Sequence, residues 1–310
     1  MRSLDAVLPL TLRDAPRARI LLRSLERFCP VLGRLFLVTR AGDVASIERS
    51  LGAEFLPGKL EVLSEDALVP ELSAHRARGW YRQQLIKLAI AERVESDYYL
   101  TLDADVVATR PITLERLLPS GRAPCTLLPG EHRDWYAATE KLLGTRGAHP
   151  GKLHSVTPAL LAREGVRALT ESLDRRFRER RFSPGMRGLR QRWLALRARG
   201  RGEPWRLFLL GGLPWTEYAL YYTFLEASGE FERFHVLSDV PIYDVRHSVW
   251  YRDREQFPSW DPAPLFAGEG PPFFVVIQSN TGLDPALVSE RLRPFLEEPA
   301  RAAHAAPGSR

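Results

Sequence analysis

Cysteine, methionine, lysine and long apolar runs are all scarce in this 310-residue chain. Its two cysteines, Cys29 and Cys125, lie far apart and have no metal-type spacing. They exclude a disulfide scaffold and fit a reducing, cytosolic setting. No run approaches the roughly 18 apolar residues of a membrane span, which argues against an integral membrane protein and leaves peripheral attachment open. The N-terminus does not read as a secretory signal, because Asp5 interrupts it and the apolar run at 7–12 is short. Lys59, Lys87, Lys141 and Lys152 are the only lysines among 44 basic residues, so the net charge of +6 is an arginine excess. Such a skew is typical of GC-rich coding. With no zinc-finger spacing, no glycine-aromatic RNA motif and no heptads after a basic region, no nucleic-acid partner is expected. What remains, 45% hydrophobic and 26% charged residues, is the composition of a globular protein.

The first third alternates strand and helix signals. Strands are expected at 5–11, 34–39, 60–63 and 97–103, and helices at 15–28 (capped by Asp14), 45–51 and 80–94. That alternation predicts an α/β fold: an open, mostly parallel sheet flanked by helices, with ligands outside the carboxyl ends of its strands. After Pro111 the order changes. Strands are expected at 123–128, 153–156 and 273–277, and helices at 135–143, from Pro158 to about 180, and at 216–227. The stretch 175–206 is rich in arginine, with Phe177, Phe182, Leu189 and Trp193 among its charges. It reads as a solvated helical insertion, or as a basic surface for an anionic membrane. The tail from 299 to 310 reads as disordered.

One segment concentrates chemistry: Tyr98-Tyr99-Leu100-Thr101-Leu102-Asp103-Ala104-Asp105. An apolar strand ends in two carboxylates one residue apart, which point to the same side and can converge on one cation. Mg²⁺ is typically held by one or two carboxylates together with substrate phosphates. The bland alternative is a pair of acids in a turn. Just before it, Gly79-Trp80-Tyr81-Arg82-Gln83-Gln84-Leu85-Ile86-Lys87 reads as a helix whose Tyr81, Leu85 and Leu88 face the core. Gln83, Gln84 and Lys87 then share a polar face, either solvated or turned to a ligand. Lysine can neutralise phosphate, and glutamine can read a base or a sugar hydroxyl.

Together with Leu102-Asp103-Ala104-Asp105, Trp215-Thr216-Glu217-Tyr218-Ala219-Leu220-Tyr221 and Val276-Ile277-Gln278-Ser279-Asn280, that helix resembles an uncharacterised bacterial family. The family is grouped with the glycosyltransferase-A, nucleotide-diphospho-sugar transferase superfamily, and the resemblance spans about 4 to 283. It implies a glycosyltransferase-A-like fold with an acceptor-side helical insertion, a nucleotide-sugar donor and a divalent metal, Mn²⁺ or Mg²⁺. Carried over, Asp105 is the main metal ligand and Asp103 touches the metal or the ribose. Thr11, Asp14, Gln83, Gln84 and Lys87 face the donor. Superfamily members often place a late histidine on the metal; here that position is Gln278, with Asn280 and His247 as substitutes.

The implied organisation is one catalytic domain over 1–298, with a nucleotide-binding half (1–110) and an acceptor half (111–298). Glu217 opens a late helix capped by Thr216. It either suits the helix dipole or serves as the base for an acceptor hydroxyl. Trp215 either packs in the core or stacks on an acceptor sugar. His132, Asp134 and the segment 154–158 are further acceptor-side candidates. The expected activity is transfer of a sugar to a saccharide or lipid-linked acceptor, in the cytoplasm or at a membrane periphery, with a role in cell-envelope glycan synthesis. Two alternatives stand beside it. One is a haloacid-dehalogenase-like phosphatase using Asp103 and Asp105, which lacks the expected first-strand position and the later acidic pair. The other is a non-catalytic nucleotide- or sugar-binding protein.

Overall fold

Strand β1 (Leu4–Pro9) is buried along its whole length, which requires neighbours on both edges and both faces. It has them. β2 (Leu32–Thr39) pairs with it in parallel on one side, and β4 (Tyr98–Thr101) in parallel on the other. β3 (Leu60–Ser64) adds in parallel to β2, and β9 (Ala159–Ala162) closes the sheet antiparallel to β4, giving the order β3-β2-β1-β4-β9. The computed structural model describes residues 3–74, 79–130, 133–149, 152–154, 156–181, 189, 203–210 and 213–297. The α/β architecture with a mostly parallel sheet flanked by helices is thus as expected.

Helix α1 (Ala15–Phe28) starts at Pro16 in its first turn and buries Ala18, Leu21, Leu22 and Leu25 at helical spacing. Asp14 occupies its N-cap position, but its side chain turns back to Thr11 instead of capping. The expected helix at 45–51 is Val44–Ile47 followed by a π-turn, Glu48–Gly52. Helix α2 (Gly79–Ala89) buries Leu85, Ile86, Leu88 and Ala89 and gives way to a 3-10 turn at Ile90–Glu92, earlier than expected.

Beyond the sheet, the structure departs from the sequence-based expectations in four places. The expected strand at 123–128 is two strands, β6 (Ala123–Cys125) and β7 (Leu127–Pro129). β6 pairs with β10 (His235–Leu237), and β7 with β8 (Lys152–His154). Pro158 does not open a helix. It follows Thr157 through a cis peptide and leads into β9, and helix α4 (Arg163–Arg181) begins only afterwards, α3 being Arg133–Leu143. Ala159-Leu160-Leu161-Ala162 has a helix-compatible composition; the pairing of Leu160 with Leu100 decides otherwise. Third, β5 (Val106–Ala108), directly after the carboxylate pair, joins β11 (Phe274–Val276) antiparallel. Fourth, while α5 (Glu217–Ser228) is the helix expected at 216–227, a C-terminal helix α6 (Pro285–Leu296) follows where none was expected. Most of the arginine-rich stretch, the tail from 298, His132 and Ser155 lie outside the described residues. Among the described residues, no helix is long and apolar enough to cross a membrane.

The amino-terminal edge of the sheet is tied by Asp5. Its carboxylate accepts from Arg34 N at 2.9 Å and Glu95 N at 2.8 Å, and its own N–H donates to Ser96 Oγ at 3.0 Å. Gly33 permits this approach, because a Cβ there would sit 2.8 Å from Asp5 Oδ1. Replacing Asp5 by Ala orphans two amides that donate to a charged acceptor. The expected loss is about 3 kcal/mol in urea unfolding, and a loss under about 1 kcal/mol would show the tie to be dispensable.

Candidate active site

The three parallel pairings bring the carboxyl ends of β1, β2, β3 and β4 to one edge. Thr101 lies opposite Val7, and Leu102 N donates to Val7 O at 2.9 Å. The antiparallel pairing of β9 puts its start there too, with Ala159 opposite Thr101, so Thr157 arrives beside β4. The β5–β11 pairing sets Gln278 and Ser279 next to Asp105: Ile277 N donates to Asp105 O at 2.9 Å, and Ser279 N to Asp105 Oδ2 at 2.8 Å. The N-terminus of α5 completes the edge. Thr216 caps it by accepting from Ala219 N, and Glu217 follows.

At the centre stands the ammonium of Lys87, which is not on a solvated face. Its side chain is only 3% exposed. Nζ lies 2.9 Å from Asp103 Oδ1, 3.1 Å from Glu217 Oε1 and 2.8 Å from Thr157 Oγ1. The ammonium donates to Thr157 Oγ1 and, at 3.5 Å, to Tyr218 OH, and its contacts with the two carboxylates are ion pairs. Burial alone would lower the pKa of Lys87; Asp103, Tyr218 and Glu217 overcome that and hold it well above its ordinary value. Tyr218 OH bridges Thr157 Oγ1 at 2.6 Å and Thr101 Oγ1 at 2.7 Å, fixing the wall around the lysine. Gln84 lines the larger cavity, and its Oε1 accepts from Glu217 N at 3.0 Å, which orients the start of α5.

The three carboxylates differ. Asp103 is 36% exposed. Glu217 is 1% exposed, and neither carboxylate oxygen has a hydrogen-bond partner among the described residues, Oε1 being held by its ion pair with Lys87. Burial raises the Glu217 pKa, and the attraction of Lys87 only partly offsets it. Asp105 is half-buried. Burial, and then the like charge of Asp103, push its carboxyl up to about 6 against the donated Ser279 amide. One lysine therefore does not compensate the group.

Two cavities meet at this pair. The larger, about 360 Å³, is lined by Asp103, Asp105, Glu217 and Lys87 and by Trp80, Trp135, Tyr243 and Trp250. The smaller, about 260 Å³, takes in Asp14, Ala104, Ser279 and Asn280; Gln83, Trp80, Asp103, Asp105 and Gln278 border both. Thr11 borders a minor pocket of about 40 Å³ beside Arg40, Glu65 and Arg82; its hydroxyl donates to Asp14 Oδ2 at 2.7 Å.

The remaining candidates lie as follows. Gln278 Oε1 accepts from Tyr251 N at 3.0 Å. His247 is paired with Asp244 at 3.1 Å and is not among the residues lining either cavity. Trp215 is 1% exposed and donates from its indole to Leu209 O, so it packs in the core. Asp134 lies exposed in the first turn of α3. His154 lines the larger cavity, but both ring nitrogens are engaged, by Tyr136 OH at 2.9 Å and by Glu226 at 2.7 Å. Thr157 lies in the segment 154–158 singled out from the sequence, whereas Tyr243 and Trp250 were missed as site residues and carried no signal there.

A cation is tested by the charges. Asp103 and Asp105 share a cavity edge, and burial together with the like charge of Asp103 raises the Asp105 carboxyl, a repulsion that a cation would relieve. No group of three or more His, Cys, Asp or Glu able to hold a metal occurs among the described residues. The donor set thus fits a hard ion whose coordination is completed by water and phosphate oxygens.

A family model described as a family of unknown function (DUF6492) matches residues 1–300. No curated protein matches the chain. Among solved structures, the chain is similar to mouse xyloside xylosyltransferase 1 in its apo form. That match has a TM-score of 0.43 and 16% identity, and it covers 91% of this chain and 100% of that one. The likeness is slight, and the function has to be argued from the site.

Two outcomes follow from the charges. Lys87→Met leaves Glu217 and Asp103 without their cation and is expected to cost about 3–5 kcal/mol in chemical denaturation. The loss should shrink as pH falls, since a buried carboxyl with a raised pKa is tolerated when protonated. Adding Glu217→Gln should recover much of it; a single variant as stable as the parent would refute the account. For Asp105, the folded value of about 6 exceeds the ordinary 3.8, so its contribution is fully present below the unfolded value and lost as pH rises through about 6. Chelator-treated Asp105→Asn should therefore melt higher than the parent at about pH 7.5 and no higher at about pH 3.5. A gap independent of pH would contradict this.

Proposed function

The chain belongs to that family of unknown function, and we propose that it is a metal-dependent glycosyltransferase. In this reading it moves a sugar from a nucleotide-diphospho-sugar to an acceptor hydroxyl. The observation that carries the reading is the carboxylate pair at the end of β4, shared by two cavities and backed by the buried Lys87–Glu217 pair. Strand-end ligand sites of open α/β sheets support the same placement. A divalent cation, Mg²⁺ or Mn²⁺, held by Asp103 and Asp105 would neutralise the diphosphate as it departs.

The chain's own residues divide the remaining work. The smaller cavity, with Asp14, Gln83 and Asn280, takes the nucleoside end of the donor. The sugar lies toward the larger cavity, where Glu217 waits. In the transfer, the bond between anomeric carbon and diphosphate oxygen breaks, and its electron pair leaves with the nucleoside diphosphate. The acceptor oxygen bonds to the anomeric carbon, and its proton passes to Glu217. A buried carboxylate with a raised pKa and no hydrogen bond to either oxygen suits that base role. Lys87, bonded to Thr157 and Tyr218 and paired with both carboxylates, holds Asp103 and Glu217 at their separation.

A thermal-shift panel of nucleoside diphosphates, with and without Mn²⁺, tests the reading. A rise in melting temperature is expected only with metal and is lost in Asp105→Ala. Glu217→Gln should keep that shift and lower turnover by about 10²–10⁴-fold. Absence of any metal-dependent shift refutes the reading. Hydrolysis of a simple phosphomonoester in its place would favour the phosphatase.

A further inference from the structure

The larger cavity joins an apolar, aromatic wall to an acidic floor. Three of the chain's seven tryptophans line it, Trp80, Trp135 and Trp250, together with Tyr243. None of the three is in the core: Trp80 is 39% exposed, and Trp135 and Trp250 are half-buried. Trp205 and Trp215, by contrast, are fully packed. Trp80 and Trp135 stand with ring centroids 5.6 Å apart and planes at 35°, and Trp250 meets Tyr243 at 6.4 Å and 75°. Leaving large indole faces in contact with water forgoes about 25 cal/mol for each Å² of apolar area. Gathered around one cavity, such faces mark a binding surface more readily than scattered exposed residues do.

The charges restrict the ligand. Of the 44 lysines and arginines in the chain, one lines this cavity among the described residues. That one is Lys87, whose ammonium is already committed to Asp103, Glu217 and Thr157. An anionic ligand placed here would be desolvated against three carboxylates, with no uncommitted basic side chain among the described residues to receive it and the proposed metal already engaged by the donor diphosphate. A ligand with apolar ring faces and hydroxyl edges meets both features: its C–H faces cover indole, and its hydroxyls donate to carboxylate oxygens.

Resting on the transferase reading above, we propose that the larger cavity is the acceptor site and that its acceptor is an uncharged glycan. Trp135 and Trp250 are the stacking residues that select it. A glycan whose reacting end carries phosphate, sulfate or a uronate is rejected.

The test uses the full chain loaded with Mn²⁺ and the nucleoside diphosphate that raises its melting temperature. It is applied to a glycan array carrying neutral oligosaccharides beside sulfated, uronate-containing and phosphate-linked ones. Retention confined to neutral glycans is expected. Trp135→Ala and Trp250→Ala should each weaken retention at least tenfold while leaving the nucleotide-dependent melting shift in place, which shows that both variants fold and bind donor. Trp135→Phe should restore part of the retention. Retention of the anionic glycans, unchanged retention in both alanine variants, or no retention of any glycan by a protein that still gives the nucleotide shift overturns the proposal while leaving the transferase reading intact. Loss of the nucleotide shift in the parent protein overturns both.

Discussion

The arrangement depends on one buried ammonium. Lys87 comes from helix α2, Asp103 from the end of β4, Glu217 from the start of α5 and Thr157 from the approach to β9, and Nζ touches the other three side chains within 3.1 Å. A buried ion pair is weak evidence for stability, because desolvating both partners costs about what their attraction returns. Its effect here is geometric. Four segments distant in sequence can meet at the sheet edge only if each supplies its part of one charge cluster. Lysine is so scarce in this chain that arginine, with its planar fork, does nearly all other cationic work. A compact ammonium with three donors can be enclosed by three acceptors, where a guanidinium would need a wider, flatter space.

The sheet explains how the parts arrive. Parallel pairing of β1, β2, β3 and β4 aims four strand ends the same way, and the antiparallel β9 brings a strand beginning to the same edge. The short β5–β11 pair then folds the chain back so that Ser279 N reaches Asp105. The consequence is an asymmetric pair. Asp103 is paired directly with Lys87, while Asp105 accepts from Ser279 and lies within electrostatic reach of the Arg17 guanidinium.

The first third of the fold was legible because its signals are local. In β1, β2, α1 and α2, buried apolar residues recur at the spacing of the element they form. β9 was not legible, because Ala159-Leu160-Leu161-Ala162 becomes a strand only through its partner β4; β5 and β10 are three residues each and equally dependent on partners. In the site, the carboxylate pair announced itself by residue type and position. The environment of Lys87 did not. A lysine on a polar helix face reads the same whether that face meets water or two carboxylates from beyond residue 100. Gln84 shows the same limit: an amide suited to reading a ligand is turned instead to the backbone of Glu217.

The division of the space into two cavities with a shared acidic border has its own logic. Group transfer needs donor and acceptor to meet at one carbon while the rest of each is held apart, and holding them so removes much of the entropic barrier. Asp103, Asp105, Gln83, Trp80 and Gln278 stand where the two spaces touch, so contacts made by either ligand fall on the same few side chains. Burial raises the pKa of Asp105, the like charge of Asp103 adds to it and Ser279 opposes it; in the reading proposed above, a cation held there would relieve that repulsion. Glu217 lies on the other side of Lys87. Burial raises its pKa, Lys87 lowers it and Asp103 raises it again, so the proton affinity of the proposed base is tied to the charge of the carboxylate pair.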